Sequence, residues 1–433
     1  MFINVNFTAI QININTIKNK DIKIIFSGFG ALSALQAINI IIPLISVPYA
    51  VRVIGADYFG LVNFAAAFAG FFMIAEDYGF NITANRDIAR NREDKNICVE
   101  IYNSVLTSKI ILFLVSSAII TLIVFSFGEF SNNKSVYLVH LGTLAGTALF
   151  PQWFFKGMEK MTYIAVPGII IKTITVVLIF ILVREKGDYL LYAVLLNAGN
   201  FVLGLAGAGI VALKFRYGFI MPSLSSIKRV LTDGLEVFFS IICTSIYGYA
   251  NTFILGLFTD YKIVGLYAAA DKVITGVNGL ISNLNESTYP RISSLLSADL
   301  KKGIELTKTS AGIIGAVSLA CSLLLFAFAD LIVKIFFGES FAEAAVMIRI
   351  MALIPFFVSL NNLFGVQTVL NRGYKKQFLG IIFVSLICFL CLSFILVPLL
   401  HAEGTSISIA ATELLVLLLM AAYIKRKKLL STD

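Results

Sequence analysis

Four basic side chains stand inside long apolar runs, where no water would solvate a charge: Lys109, Lys172, Lys272 and Arg349. Burying a Lys or Arg at the centre of a bilayer-spanning helix costs about 2.5–3.5 kcal/mol, so such groups face a bundle interior or a wet cavity. Lys172 lies near the middle of its run, roughly ten residues or ~15 Å from either end, beyond easy snorkelling reach. Lys272 lies about a third of the way into its run, beside Asp271. Neighbours at i and i+1 point in different directions on a helix, so these two need not pair. Arg349 has similar depth, whereas Lys109 is a turn or two from an end and reads as interfacial. Acids are scarcer: Glu413 is mid-run, and Glu76 and Asp77 sit near the end of another run. An interior with more cations than acids suits an anion, such as a phosphate, and suits a cationic ligand poorly. The expected cavity residues are therefore Lys172, Lys272, Arg349, Arg52, Asn81 and Asn251. Asp77, Asp271 and Glu413 are the candidates for titration or for coupling to a proton or sodium ion.

Other chemistry is absent. The chain has no G-x-x-x-x-G-K-[ST] phosphate loop, no H-E-x-x-H and no G-x-S-x-G. Its only histidines are His140 and His401, too few for a metal cluster. The C-x-x-C at Cys388 and Cys391 lies inside an apolar run without a second Cys or His pair and reads as packing. No cofactor and no enzymatic activity are expected. Gly142 and Gly146 form a G-x-x-x-G spacing suited to close helix packing.

These residues need elements to position them. Of 433 residues, 58% are hydrophobic, against roughly 45–50% in a soluble protein. Twelve apolar runs are legible: 24–50, 57–82, 104–127, 135–155, 164–184, 189–213, 234–257, 263–286, 309–329, 342–370, 377–399 and 403–424. Backbone in lipid must bond internally, which leaves helices or a closed barrel. The ~10-residue alternating strands of a barrel do not appear. The fold class expected is an all-α integral membrane protein of about twelve transmembrane helices.

The charges orient it. With the first residues inside, 24 of the 34 basic residues fall in cytoplasmic segments, six fall in outer loops and four in spans. Cytoplasmic loops carry this kind of excess, so both termini are expected in the cytoplasm. The net charge of +9 then faces anionic headgroups rather than nucleic acid. Residues 1–23 are polar, with Lys18, Lys20 and Lys23 before the first run, and lack the cleavage site of a signal peptide. The longest hydrophilic connection, 214–233, divides two six-helix bundles at 24–213 and 234–424, followed by a basic tail at 425–433. An internal echo crosses the divide: Gly60-Leu61 with Ala65-Ala66-Ala67, and Gly265-Leu266 with Ala268-Ala269-Ala270. Paired bundles are a common transporter architecture.

Several strings resemble the Wzx-type O-antigen flippases of the multidrug/oligosaccharidyl-lipid/polysaccharide exporter superfamily. They are Pro48-Tyr49-Ala50-Val51-Arg52-Val53-Ile54-Gly55 with Tyr58-Phe59-Gly60; Asp77-Tyr78-Gly79-Phe80 followed by Asn85-Arg86-Asp87-Ile88; the run from Pro151 to Met161; Val264-Gly265-Leu266-Tyr267 with Ala270-Asp271-Lys272; and Tyr289-Pro290-Arg291-Ile292-Ser293. The resemblance spans nearly the whole chain. It implies a two-lobed fold shared with the multidrug (MATE) exporters and a place in the bacterial inner membrane. It also implies transfer of undecaprenyl-diphosphate-linked sugar repeats from the inner to the outer leaflet. A polysaccharide polymerase and a chain-length regulator would be pathway partners. Three alternatives stand beside it: a cation-coupled multidrug antiporter, which would place acids deep in its cavity; a lipid II flippase, which typically has two more helices; and a membrane-embedded glycosyltransferase or polymerase, which needs a large outer loop.

Overall fold

The computed structural model describes residues 19–431, so Lys18 and most of the expected segment 1–23 lie outside the described residues. In chain order the helices are α1 (Asn19–Asp77), α2 (Phe80–Arg90), α3 (Lys95–Ser126), α4 (Gly128–Ser131), α5 (Lys134–Val139), α6 (Leu141–Leu149), α7 (Gln152–Gly157), α8 (Thr162–Leu182), α9 (Tyr189–Ile210), α10 (Leu224–Phe258), α11 (Tyr261–Ala298), α12 (Leu300–Ala327), α13 (Ala329–Phe336), α14 (Ala344–Met351), α15 (Ile354–Asn361) and α16 (Lys375–Arg426). Wider π-type turns extend α9 over Val211–Phe215 and α15 over Asn362–Leu370. No strand occurs among the described residues.

The burial pattern is the reverse of a soluble protein's. On α3, Asn103, Ser104, Thr107, Ser108, Lys109 and Ser116 are buried, while Ile111, Leu114, Val115 and Leu122 are exposed. In lipid the apolar face looks outward and polar groups turn to other helices. Side-chain caps stand where helices start on polar connections: Asp94 on α3, Ser223 on α10 and Asp299 on α12 each accept a backbone N–H of the first turn. Between connections, Arg92 forms a two-bonded ion pair with Glu159, at 2.6 and 2.7 Å. The guanidinium holds the Glu159 carboxyl below the usual range.

Seven helical stretches among the described residues are long and apolar enough to cross a membrane. Two of the long helices contain an internal break. At 1.5 Å per residue, the 59 residues of α1 would span about 90 Å against a hydrocarbon core of about 30 Å. Its path breaks at Gly55, where φ is +78°, a conformation open to glycine at little cost. Both limbs then line one cavity, as the two arms of a hairpin do. The 52-residue α16 breaks likewise at His401 (φ 52°). Beyond that break, a Cβ on Gly404 would stand 2.3 Å from the Leu396 carbonyl, so these limbs touch through backbone. Two expected runs are fragmented instead. The run 135–155 is divided among α5, α6 and α7, with Pro151 at the last joint; 342–370 is divided just before Pro355, which lies in the first turn of α15. Proline offers no N–H to the preceding turn, so the ladder stops there.

The largest interface joins α1 to α11; α6 packs on α9, α8 on α1 and α9, and α11 also on α12, α14 and α15. Helix α10 touches α1, α3 and α16. At the α1–α11 crossing a Cβ on Gly60 would fall 1.7 Å from the Tyr261 carbonyl oxygen, and one on Gly265 would fall 2.0 Å from that of Ala56. Each glycine thus meets the residue four before the other. The two echoed segments pack on each other as a two-fold pair would. Around them Ile54, Phe59, Leu61, Val264, Leu266 and Tyr267 are buried, and Phe64 stacks on Phe253 at 5.4 Å.

Candidate functional site

Next to that crossing lies a cavity of about 610 Å³, walled by both limbs of α1, the α5–α6 joint, α8, α9, Tyr249 of α10, α11 and the end of α13. Lys172 from α8 and Lys272 from α11 both line it. Lys172 Nζ donates to Asn39 Oδ1 at 2.5 Å, which fixes its direction across the wall. The elements of the first and second halves each contribute one ammonium to a single space.

One wall is polar. His140 and Thr143 line it from one helix face, and Thr147, four residues on, continues that face into the adjoining space. Thr143 donates to Asn197 Oδ1 at 2.6 Å and accepts from Asn200 Nδ2 at 3.1 Å; Asn197 Nδ2 donates to the Ala193 carbonyl at 2.7 Å. Small residues allow this approach. A Cβ on Gly146 would lie 2.3 Å from the Asn200 carbonyl, and one on Gly204 would lie 2.5 Å from that of Gly146. The facing wall, with Val273, Gly276, Phe336 and Phe337, is mostly apolar apart from Lys272.

A second cavity of about 320 Å³ adjoins the first, sharing Met73, Asn200, Leu203 and Tyr249 with it, and holds Asp77, Asn81, Lys109 and Thr147. Asn81 Nδ2 donates to Asp77 Oδ1 at 2.5 Å. The Thr147 hydroxyl donates to Glu76 Oε2 at 2.9 Å, and its carbonyl accepts from Lys109 Nζ at 2.7 Å. Glu76 is wholly buried and Lys109 is 4% exposed, so other helices cover both. The signal for Lys109 was the polar face that precedes it, Ser104, Thr107 and Ser108. A Thr147→Val protein removes the hydroxyl that Glu76 relies on. It should unfold with a stability lower by about 1–3 kcal/mol, read as a lower midpoint in detergent; an unchanged midpoint would show that Glu76 is held otherwise.

Five expected site residues lie off both cavities. Arg349 pairs with Asp330, linking α14 to α13, and is satisfied there. Arg52 donates to the Ile335 carbonyl, so it braces the end of α13 just before Phe336 and Phe337. Asn251 is buried within the packing of α10, 4% exposed. Glu413 accepts from Asn361 Nδ2 at 2.8 Å in an α15–α16 contact. Asp271 sits one turn after buried Tyr267 and, pointing away from Lys272's direction, lines neither space.

The sequence matches the model of a family described as "Polysaccharide biosynthesis protein" over residues 25–296. It is 32% identical over 399 residues to a protein of Escherichia coli (strain K12) named "Putative O-antigen transporter", covering 92% of this chain and 96% of that one. A protein of the same name from Shigella dysenteriae is 26% identical over 407 residues, 94% of this chain and 100% of that one. In fold the chain is similar to lipid II flippase MurJ in an inward closed conformation, with TM-score 0.72, 12% identity and coverage of 94% and 89%. It is also similar to an inward-facing multidrug resistance MATE family transporter of the MOP superfamily, with TM-score 0.66, 16% identity and coverage of 89% and 95%. A multi-pass helical protein with a two-cation cavity, matched to that family over most of its length, belongs to the polysaccharide biosynthesis protein family.

Proposed function

We propose that this protein is a flippase, not an enzyme, that carries undecaprenyl-diphosphate-linked repeat units of O-antigen or a related surface polysaccharide to the periplasmic leaflet of the inner membrane. The observation that carries this reading is the cavity to which each half contributes a lysine, next to the Gly60–Gly265 crossing. In our reading the chain crosses the membrane twelve times with both ends in the cytoplasm. The lobes are 24–213 and 234–424, joined by 214–233, and the tail is 425–433. The Gly55 and His401 breaks supply two of the reversals that this topology needs. The Gly60–Gly265 end is then the periplasmic one.

In the proposed cycle Lys172 and Lys272 hold the diphosphate while the sugars occupy the cavity and the polyprenyl tail stays in lipid. The head is the costly part to move, since charge is disfavoured in hydrocarbon. Moving ~2 negative charges outward across ~100 mV gains roughly 4–5 kcal/mol, so the voltage alone can drive the step. If an ion is coupled, Asp77, which lines the second cavity with Lys109, is the candidate we favour over Glu413 and Asp271, which line neither cavity. A polymerase and a chain-length regulator would take up the product.

Deleting the gene tests this. The expected result is loss of surface polymer, with lipid-linked repeats trapped on the cytoplasmic face. Normal polymer with raised sensitivity to cationic drugs would favour an antiporter, and arrested peptidoglycan synthesis a lipid II flippase.

A further inference from the structure

We infer that His140 is a specificity-determining residue of the cavity, whose Nε2 accepts a hydrogen bond from a hydroxyl or amide N–H on the carbohydrate head of the substrate. This rests on the reading of the cavity as the passage of a lipid-linked glycan. His140 stands at the joint of α5 and α6, only 6% exposed, and what remains exposed lines the cavity. Its Nδ1 lies 2.8 Å from the Val136 carbonyl oxygen. A carbonyl only accepts, so Nδ1 carries the proton, and in the neutral ring Nε2 is left with a lone pair. Nε2 has no hydrogen-bond partner among the described residues. The ring is therefore fixed at one nitrogen and open at the other.

Carboxamide oxygens of Asn63 and Asn200 line the same space, and His140 adds an imidazole acceptor held in a fixed direction. Lys172 and Lys272 are donors only, and suit phosphate oxygens. One turn on, the Thr143 hydroxyl is spent between Asn197 and Asn200. Sugar hydroxyls and N-acyl groups present N–H and O–H donors that ammonium groups cannot receive. Aromatic faces at Phe59, Tyr192, Phe336 and Phe337 line the same space and offer apolar contact to sugar C–H faces. The anion and the glycan are thus read by different groups: two cations for the one, and a neutral imidazole acceptor for the other.

Two substitutions separate this role from a structural one, in the full-length protein expressed in the host's deletion strain. His140→Asn keeps a donor near the position of Nδ1, and so the bond to Val136, but deletes the acceptor in the cavity. His140→Gln places a carboxamide near the position of Nε2 and gives up the Val136 bond. At equal amounts in the membrane, His140→Asn should lower surface polymer about tenfold, the scale of one lost hydrogen bond to substrate, with matching build-up of lipid-linked repeats. His140→Gln should stay within about threefold of the native protein. His140→Phe, which keeps the ring shape without nitrogen, should behave as His140→Asn and covers the case in which His140→Asn is poorly produced. Any other pattern overturns the inference: an active His140→Asn beside an inactive His140→Gln makes His140 a fastener of the helix joint. Lys172→Ala and Lys272→Ala, run alongside, separate the two readings. If they abolish transport while His140→Asn does not, only the His140 role fails; if they too transport normally, the cavity reading itself fails.

Discussion

A Gly60→Val protein is expected to be unable to hold the cavity shut at the α1–α11 crossing. The added Cβ would stand 1.7 Å from the Tyr261 carbonyl and 2.7 Å from the Gly265 amide nitrogen. Both are backbone atoms of a buried helix, with no side chain to swing aside, so the helices must separate. Overpacking of this kind costs about 1–3 kcal/mol or more, and about 3 kcal/mol shifts a two-state equilibrium roughly 150-fold. Gly265→Val should act the same way from the other side, because its Cβ meets the Ala56 carbonyl at 2.0 Å. The measurement is the labelling of a cysteine placed at Asn63, on the cavity wall, in a background lacking the five native cysteines. A membrane-impermeant thiol reagent added from the periplasmic side should react at least about tenfold faster in the valine variants. Labelling as slow as in the parent would show that the glycine contact is not the seal.

The second large effect concerns the two cavity cations. A charge-assisted hydrogen bond to phosphate contributes about 1.5–3 kcal/mol, so Lys172→Ala or Lys272→Ala should each slow transport by roughly 10- to 150-fold. Together they should leave no surface polymer. Asn39→Ala, which frees Lys172 without removing it, should cost less, because the ammonium can still find the anion. Polymer at native levels from a strain carrying both alanine substitutions, at native protein amount, would end the assignment.

How far the chain announces all this depends on what can be known from position along a helix. Depth alone put Lys172 and Lys272 in the interior, because a charge well inside an apolar run has no easy reach to an interface. Depth could not find the partner of Arg349: Asp330 lies across an irregular turn, and that pairing fixes Arg349 away from the cavity. It also gave no sign of the cover over Glu76 and Lys109. Nearness to a helix end says nothing about whether another helix covers that end, and here α6 does, through Thr147. The echo of Gly60-Leu61 in Gly265-Leu266 was visible as a repeat, but only the fold shows that the repeats touch each other. The fragmented stretches were legible in retrospect at Pro151 and Pro355. The break at His401 was not, since nothing in that residue's chemistry demands φ of 52°.

The glycine crossing has an electrical consequence. The residues around it are buried hydrocarbon and its contacts are backbone to backbone, so in the proposed cycle it serves as the seal. If the cavity below fills with cytoplasmic electrolyte in the proposed orientation, nearly the whole resting voltage drops across this thin plug rather than across the full bilayer. The field there is then several times steeper than in the surrounding lipid, while Lys172 and Lys272 sit near cytoplasmic potential. Loading of the diphosphate should be almost insensitive to voltage, and the step that separates Gly60 from Gly265 should carry the voltage dependence of the whole cycle.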